Sequence, residues 1–340
     1  MPLSTSNSDP PIDRAAARGL RTWLLCALVV FGCVEAGSRY GVPLINSNTR
    51  RFYAERAAAS RLGQNGGASQ VSILFLGNSI THSDIDLPGM QAGLGNDARV
   101  VCWAVDDTNY LDWLFGLKRI FRSGARPDYV IVGGRSRHFL APHVRGNFFA
   151  HYMLDWPDLL DAARRIKANA NAICSMLIAQ GSAFYGSREE IYKRLVTWMI
   201  PRFAHLAAVL NRAGVSDAAS AAMPPSLGDR IWEMKELCAI HGARLILWIP
   251  PGQSRDRNAQ AMVEAGRELD VPVLVPIVEG QIPSKDYADG FHLGPAGARM
   301  LTSALARELK PLIAATADQE LRGCQPASRI ADMNVQESRK

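Results

Sequence analysis

Apolar and polar positions alternate along this chain with two different periods, and the places where one gives way to the other mark out its elements. Val71 to Leu76 is a continuous, β-branched and aromatic run that stops at Gly77, which predicts a strand buried on both faces. Comparable short runs at Val100 to Ala104, Tyr129 to Val132, Leu245 to Ile249 and Val271 to Val275 predict four more strands. Between them the apolar positions take up helical spacing. Tyr110, Trp113, Leu114, Leu117, Ile120 and Phe121 share one face of a helix that Gly124 can end; Ile231, Met234 and Cys238 do the same for a helix beginning near Asp229, and Met262, Val263, Gly266 and Leu269 for another. Pro295 suits the first turn of a closing helix that runs to Lys310. Strands alternating with helices predict an α/β fold: a doubly wound, parallel five-stranded sheet with helices on both faces, whose ligands bind at the carboxyl ends of the strands.

Two stretches depart from that alternation. Residues 140–228 carry mostly helical pattern, with Ser187-Arg188-Glu189-Glu190 as a capping box for a helix ending near Pro201, a further helical run at Leu206 to Leu210, and a loose Ala/Ser/Pro stretch from Ser216 to Pro225. This helical insertion suits a lid, a substrate platform, a docking surface for a membrane partner, or added packing around the core. At the N-terminus, the basic flank Arg14 to Arg21 precedes an apolar run from Trp23 to Val34 that Glu35 ends. The run is short for a membrane span, although Leu20 to Tyr40 is long enough for a tilted one. The reading adopted is an uncleaved, single-pass signal anchor in the inner (cytoplasmic) membrane with the main domain extracytoplasmic. The alternatives are cleavage near Ala36, a lipoprotein-like Gly32-Cys33, or a buried helix of a cytoplasmic protein. Arginines on both sides, including Arg39, Arg50 and Arg51, blur the orientation signal.

The expected organisation is a disordered N-terminus (1–19), an anchor (20–44), a linker (45–69) with a short helix at Asn46 to Leu62 and a glycine joint at Gly63 to Gly67, one domain (70–312), and a disordered tail (313–340). With 340 residues and 48% hydrophobic content, one decorated domain fits better than two. A net charge of +6 raises the question of an acidic partner, but Lys and Arg are scattered without a basic stripe interleaved with aromatics, so nucleic-acid binding is excluded. Cys26, Cys33, Cys102, Cys174, Cys238 and Cys324 show no paired spacing. Cys102, Cys174 and Cys238 lie in apolar surroundings and read as small core residues.

The chemistry sits in two distant segments, Gly77-Asn78-Ser79-Ile80-Thr81 and Asp289-Gly290-Phe291-His292. A serine hydroxyl becomes a nucleophile when an imidazole takes its proton, and the imidazole in turn needs a carboxylate to fix its tautomer. Ser79, His292 and Asp289 can supply those three roles. The α/β-hydrolase elbow Gly-x-Ser-x-Gly fits less well, since Thr81 stands at its last glycine. No glycine-rich phosphate loop follows the first strand, no HExxH is present, and His138 and His143 lack a carboxylate partner, so neither a cofactor nor a metal is expected. His82 reads as solvent-facing or as a substrate contact.

Together the two segments resemble the SGNH (GDSL-type) hydrolase superfamily, over about residues 70–135 and 230–312. The resemblance implies a flavodoxin-like arrangement and a serine ester hydrolase or O-acyltransferase working through an acyl-enzyme. It also implies an oxyanion hole built from the N–H of the serine, a glycine after the second strand and an asparagine after the third. Here those positions carry Asp106-Asp107 and Gly134-Arg135, so the expected hole is Ser79, Asp107, Gly134 and the Arg135 guanidinium. The Asn-Ser-Ile-Thr form of the serine block, with the anchor, looks like proteins of envelope biosynthesis. The expected substrate is thus an acylated glycan, most simply an O-acetylated cell-envelope or exported polysaccharide, with a membrane acyltransferase as partner. Lipid or small-ester hydrolysis and a non-catalytic accessory role are the alternatives.

Overall fold

The computed structural model describes residues 14–64, 70–200, 226–253 and 256–323. The segment 1–12, most of the glycine joint, the helical run at 206–210, the stretch 216–225 and Cys324 with the residues after it lie outside the described residues.

Five parallel strands form one sheet in the order β2-β1-β3-β4-β5. They are β1 (Val71–Gly77), β2 (Ala98–Ala104), β3 (Tyr129–Gly133), β4 (Arg244–Trp248) and β5 (Val273–Leu274). The register brings Gly77 level with Ala104 and Gly133, and Gly133 level with Trp248, so four strands end together at one edge. β5 is shorter than its apolar run because it pairs only Leu247 with Val273 and Trp248 with Leu274 at the sheet's margin.

Successive side chains of each strand enter opposite layers. Leu74, Leu76, Trp103, Val130, Val132 and Leu247 face one core, shared with the helices α2 (Ser47–Ser60), α5 (Tyr110–Arg122) and α10 (Ser226–Ile240). Ile73, Phe75, Ile131, Ile246 and Trp248 face the other, closed by α4 (Leu87–Leu94) and α12 (Pro295–Gly323). Further helices include α1 (Arg14–Ala36), α3 (Ser79–Asp84), α6 (Ser136–Leu140), α7 (Leu159–Arg165), α8 (Ala170–Gly181), α9 (Ala183–Met199) and α11 (Ala259–Glu268).

Several expected boundaries move. Helix α1 begins inside the stretch read as disordered, and helical structure continues past Glu35 through Gly37–Gly41 and Val42–Ile45. The described part of the expected linker, 45–64, is more than a tether, since Phe52, Ala59 and Leu62 enter the first core. Helix α9 starts at Ala183, before the Ser187 capping box. Ser182 is its N-cap, accepting from Tyr185 N–H, and Ser187 is buried against the Tyr152 hydroxyl at 2.6 Å. Helix α12 passes through Pro311 to Gly323 because Leu312 and Ile313 still pack on the second core. Cys102 and Cys238 are buried as expected, but Cys174 is exposed: it lies on the outer face of α8.

Candidate active site

The site is assembled at the edge where the strands end. Gly77 closes β1, and the chain turns at once into α3 with Asn78 as N-cap, its side-chain oxygen accepting from Ile80 N–H at 3.1 Å. Gly77 cannot be enlarged here: a β-carbon would run into the Thr81 side chain and the Gly133 carbonyl. Thr81, fully buried, donates its hydroxyl to that carbonyl at 3.3 Å and ties α3 to the end of β3. On the β2 side, the Asn78 amide donates to Thr108 O at 3.4 Å, and the Thr108 hydroxyl accepts from Trp113 Nε1 at 2.9 Å. Ser79 is therefore the first residue of a short helix held on two sides by buried hydrogen bonds.

The other half arrives on the loop before α12. His292 Nε2 lies 3.0 Å from Ser79 Oγ, and His292 Nδ1 lies 2.8 Å from Asp289 Oδ2. The second Asp289 oxygen accepts from the N–H groups of Phe291 at 2.9 Å and His292 at 2.7 Å. Gly290, between them, takes φ 82°, a left-handed conformation that suits glycine. Partial burial pushes the Asp289 carboxyl up, but the His292 N–H, the imidazole and the Phe291 N–H outweigh it and hold it at about 2. Asp289 is thus ionised at any working pH, and an ionised carboxylate only accepts hydrogen bonds, so the His292 proton resides on Nδ1 and the Nε2 lone pair faces the serine.

A clamp unnoticed in the sequence joins the two halves. Asp84, at the end of α3 and fully buried, accepts from Leu293 N–H at 2.9 Å through Oδ1. Its Oδ2 is buried with no hydrogen-bond partner. Burial raises the Asp84 carboxyl to about 7 against the pull of the Leu293 N–H and His292, with Asp289 adding to the rise. The bond spans 209 residues of sequence, so no local pattern marks it.

The expected oxyanion donors fare differently. Gly134 N–H is given to Trp248 O at 3.2 Å, and Arg135 N–H to His138 Nδ1 at 3.2 Å, which leaves neither backbone group to an oxyanion. Asp107 holds φ 58°, so the backbone after β2 keeps a conformation that glycine favours although the glycine is missing; its carboxylate is exposed, 4.0 Å from Lys193 Nζ. Arg135 is buried, with Nε 3.9 Å from Asp256 Oδ2. It lines a cleft of about 580 Å³ together with Ile80, Gln253, Tyr287, Asp289 and Phe291. That volume suits a small ligand or one sugar unit.

His82 is exposed, as its solvent-facing reading expects. Its Nδ1 is 4.0 Å from Glu55 Oε1, and Glu55 accepts from Ala104 N–H at 3.1 Å where β2 ends. Burial raises Glu55 to about 7 and lowers His82. His138 is pushed down to about 3 by burial, with the neighbouring Arg137 and Arg135 adding to the shift. Among the described residues, no group of three or more His, Cys, Asp or Glu side chains is placed to hold a metal ion.

No protein-family profile and no curated protein matches the chain. Similar solved structures include a carbohydrate acetylesterase from Sinorhizobium meliloti (12% identity, 72% of this chain and 100% of that one, TM-score 0.38). A GDSL-like lipase from Bacteroides thetaiotaomicron is 12% identical over 78% of this chain and 98% of its own, with a TM-score of 0.40. A catalytic mutant of an acetylxylan esterase from Geobacillus stearothermophilus is 12% identical over 71% and 94%, at 0.34. At TM-scores this low the likenesses carry no weight for the chemistry, which rests on the residues of this chain.

Proposed function

We propose that the protein is a membrane-tethered, SGNH-type serine ester hydrolase or O-acyltransferase that handles short acyl groups, acetyl above all, on a cell-envelope or exported polysaccharide. The observation that carries this reading is the continuous hydrogen-bond line from Ser79 through His292 to Asp289 at the carboxyl edge of a parallel sheet. His292 Nε2 takes the Ser79 proton as Oγ attacks the ester carbonyl. The resulting imidazolium is stabilised by the Asp289 carboxylate and then protonates the departing sugar oxygen. Water or a second hydroxyl, deprotonated by the same Nε2, releases the acyl group from Ser79. The oxyanion is met by the Ser79 N–H, which at the start of α3 has no intrahelical acceptor, and by the Arg135 guanidinium in the cleft.

The tether is α1. Ala16–Ile45 is long and apolar enough to cross a membrane, and its apolar window is entirely unburied. The basic flank Arg14 to Arg21 ahead of the apolar run supports an orientation with the site outside the cytoplasm.

The test is covalent labelling of the full chain in membranes with a fluorophosphonate. Ser79→Ala should abolish labelling and His292→Ala should reduce it at least tenfold. Undiminished labelling of Ser79→Ala would remove the proposal.

A further inference from the structure

Helix α1 changes character at Glu35. Every residue from Arg18 to Val34 is exposed, whereas Ser38 and Val42 are buried against the body. Glu35 is therefore where the apolar helix meets the domain, and the meeting point is specific. Its carboxylate accepts from the Ser182 hydroxyl at 2.8 Å, from the Ala183 N–H, and from the Phe184 N–H at 3.2 Å, with Arg39 at 3.6 Å. Those donors are the corner where α8 ends and α9 begins.

The same corner shows an apolar face to the outside. Cys174, Leu177 and Ile178 are exposed at helical spacing along α8, and Phe184 continues the face on α9. Met176 and Ala179, on the opposite side of α8, are buried, so the outward face has no role in the core.

The length of α1 says what covers it. The stretch without charge, Thr22 to Val34, is 13 residues, about 20 Å of helix. That falls about 10 Å short of a bilayer's hydrocarbon core of about 30 Å. Beyond Glu35 the helix still presents Tyr40, Leu44 and Ile45 outward, all more than half exposed. A short span draws its flanks into the bilayer, and a carboxylate drawn in with them needs bonded partners. The corner supplies those partners and an apolar surface at the same level.

Resting on the reading of α1 as a membrane span, we infer that the α8–α9 corner is a second membrane contact, seated with Leu177, Ile178 and Phe184 in the headgroup–acyl boundary of the bilayer that α1 crosses. Such contacts sit about 5–10 Å into that boundary. Two contacts on one rigid body fix the tilt of the domain, and hence the height of Ser79 above the lipid.

The experiment uses the full chain in vesicles of phosphatidylethanolamine and phosphatidylglycerol at 3:1, with a nitroxide at one cysteine at a time. Cys174 is labelled in a chain whose Cys26, Cys33 and Cys324 are serine; Val29→Cys, and Ser303→Cys on the exposed side of α12, are labelled with Cys174 also serine. Collision rates with oxygen, which partitions into lipid, and with a nickel chelate, which does not, are compared. At Cys174 and Val29 oxygen should dominate several-fold, with the reverse at Ser303. An aqueous signature at Cys174 beside a lipid signature at Val29 would overturn the corner contact and leave the anchor standing. Shielding of Cys174 from both reagents would also overturn it, by showing a protein on the corner. An aqueous signature at Val29 would remove the anchor and the inference that rests on it.

Discussion

Asp84 is the residue whose environment makes the sharpest demand on pH. Its carboxyl is raised to about 7 by burial, from an unfolded value near 4. A raised pKa means that the folded state holds the proton more tightly. The associated stability is complete below about pH 4 and is lost as pH rises from there through about 7. Asp84→Asn keeps an acceptor for Leu293 N–H and mimics the neutral acid. It should match the wild type in thermal stability below pH 4 and exceed it at pH 8, by on the order of 4 kcal/mol; equal stability at both values would show the carboxyl to be ionised in the native state at no cost. Arg135 makes a different demand. Because it is buried beside Asp256, Arg135→Ala should lower turnover through the oxyanion by about 3 kcal/mol of barrier. The same substitution should lower the melting temperature as well, contrary to the expectation for a surface loop arginine. Arg135→Lys, which keeps the charge, should recover the melting temperature more fully than the turnover. At this scale the hydrogen-bonded grouping of Ser79, His292 and Asp289 was legible because a serine proposed as a nucleophile restricts which residue types can accompany it. Asp84, Thr81, Thr108 and the occupied Gly134 N–H were not, since each is defined by a partner remote in sequence.

Among the elements, the strands were readable because each is buried on both faces and so spells out an uninterrupted apolar run, as Val71 to Leu76 does. The ends of helices were harder. The start of α9 depends on Glu35, 148 residues away, and the continuation of α12 past Pro311 depends on contacts with the second core. Where three elements meet without spare volume, the structure makes a strong prediction. Gly77 separates β1 from α3, and a methyl group there strikes Thr81 and the Gly133 carbonyl, so the helix bearing Ser79 must shift away from β3. Gly77→Ala should therefore cost about 2 kcal/mol or more in urea unfolding. It should also reduce fluorophosphonate labelling, because a shift of about 1 Å at the nucleophile lengthens its bond to His292. Full labelling with reduced stability would mean that α3 yields without moving the serine.

On the proposed function, the whole molecule decides what becomes of an acyl group on Ser79. The parallel sheet places the serine and the His292 loop on one open edge, beside a cleft of about 580 Å³ that is open to water. Water at about 55 M wins unless an acceptor hydroxyl is held close and correctly aimed, which can be worth an effective molarity of 10⁵ M or more. Nothing in the amino-acid order speaks to that competition, because it depends on how the body, the helical insertion and the tether are disposed towards a polymer outside the chain. On the proposed function, α1 as a tether confines the cleft to the surface where envelope polysaccharide emerges and raises the local concentration of hydroxyls without any new contact. On this ground transfer is the expected outcome for the membrane-bound chain. An acetylated chromogenic donor supplied with and without envelope polysaccharide separates the two fates. Acetyl recovered on the glycan, lost in Ser79→Ala and diminished when the vesicles are dissolved in detergent, is the result expected of a tethered transferase. Free acetate released at the same rate with and without glycan would establish that water is the acceptor and that the tether serves only to place an esterase.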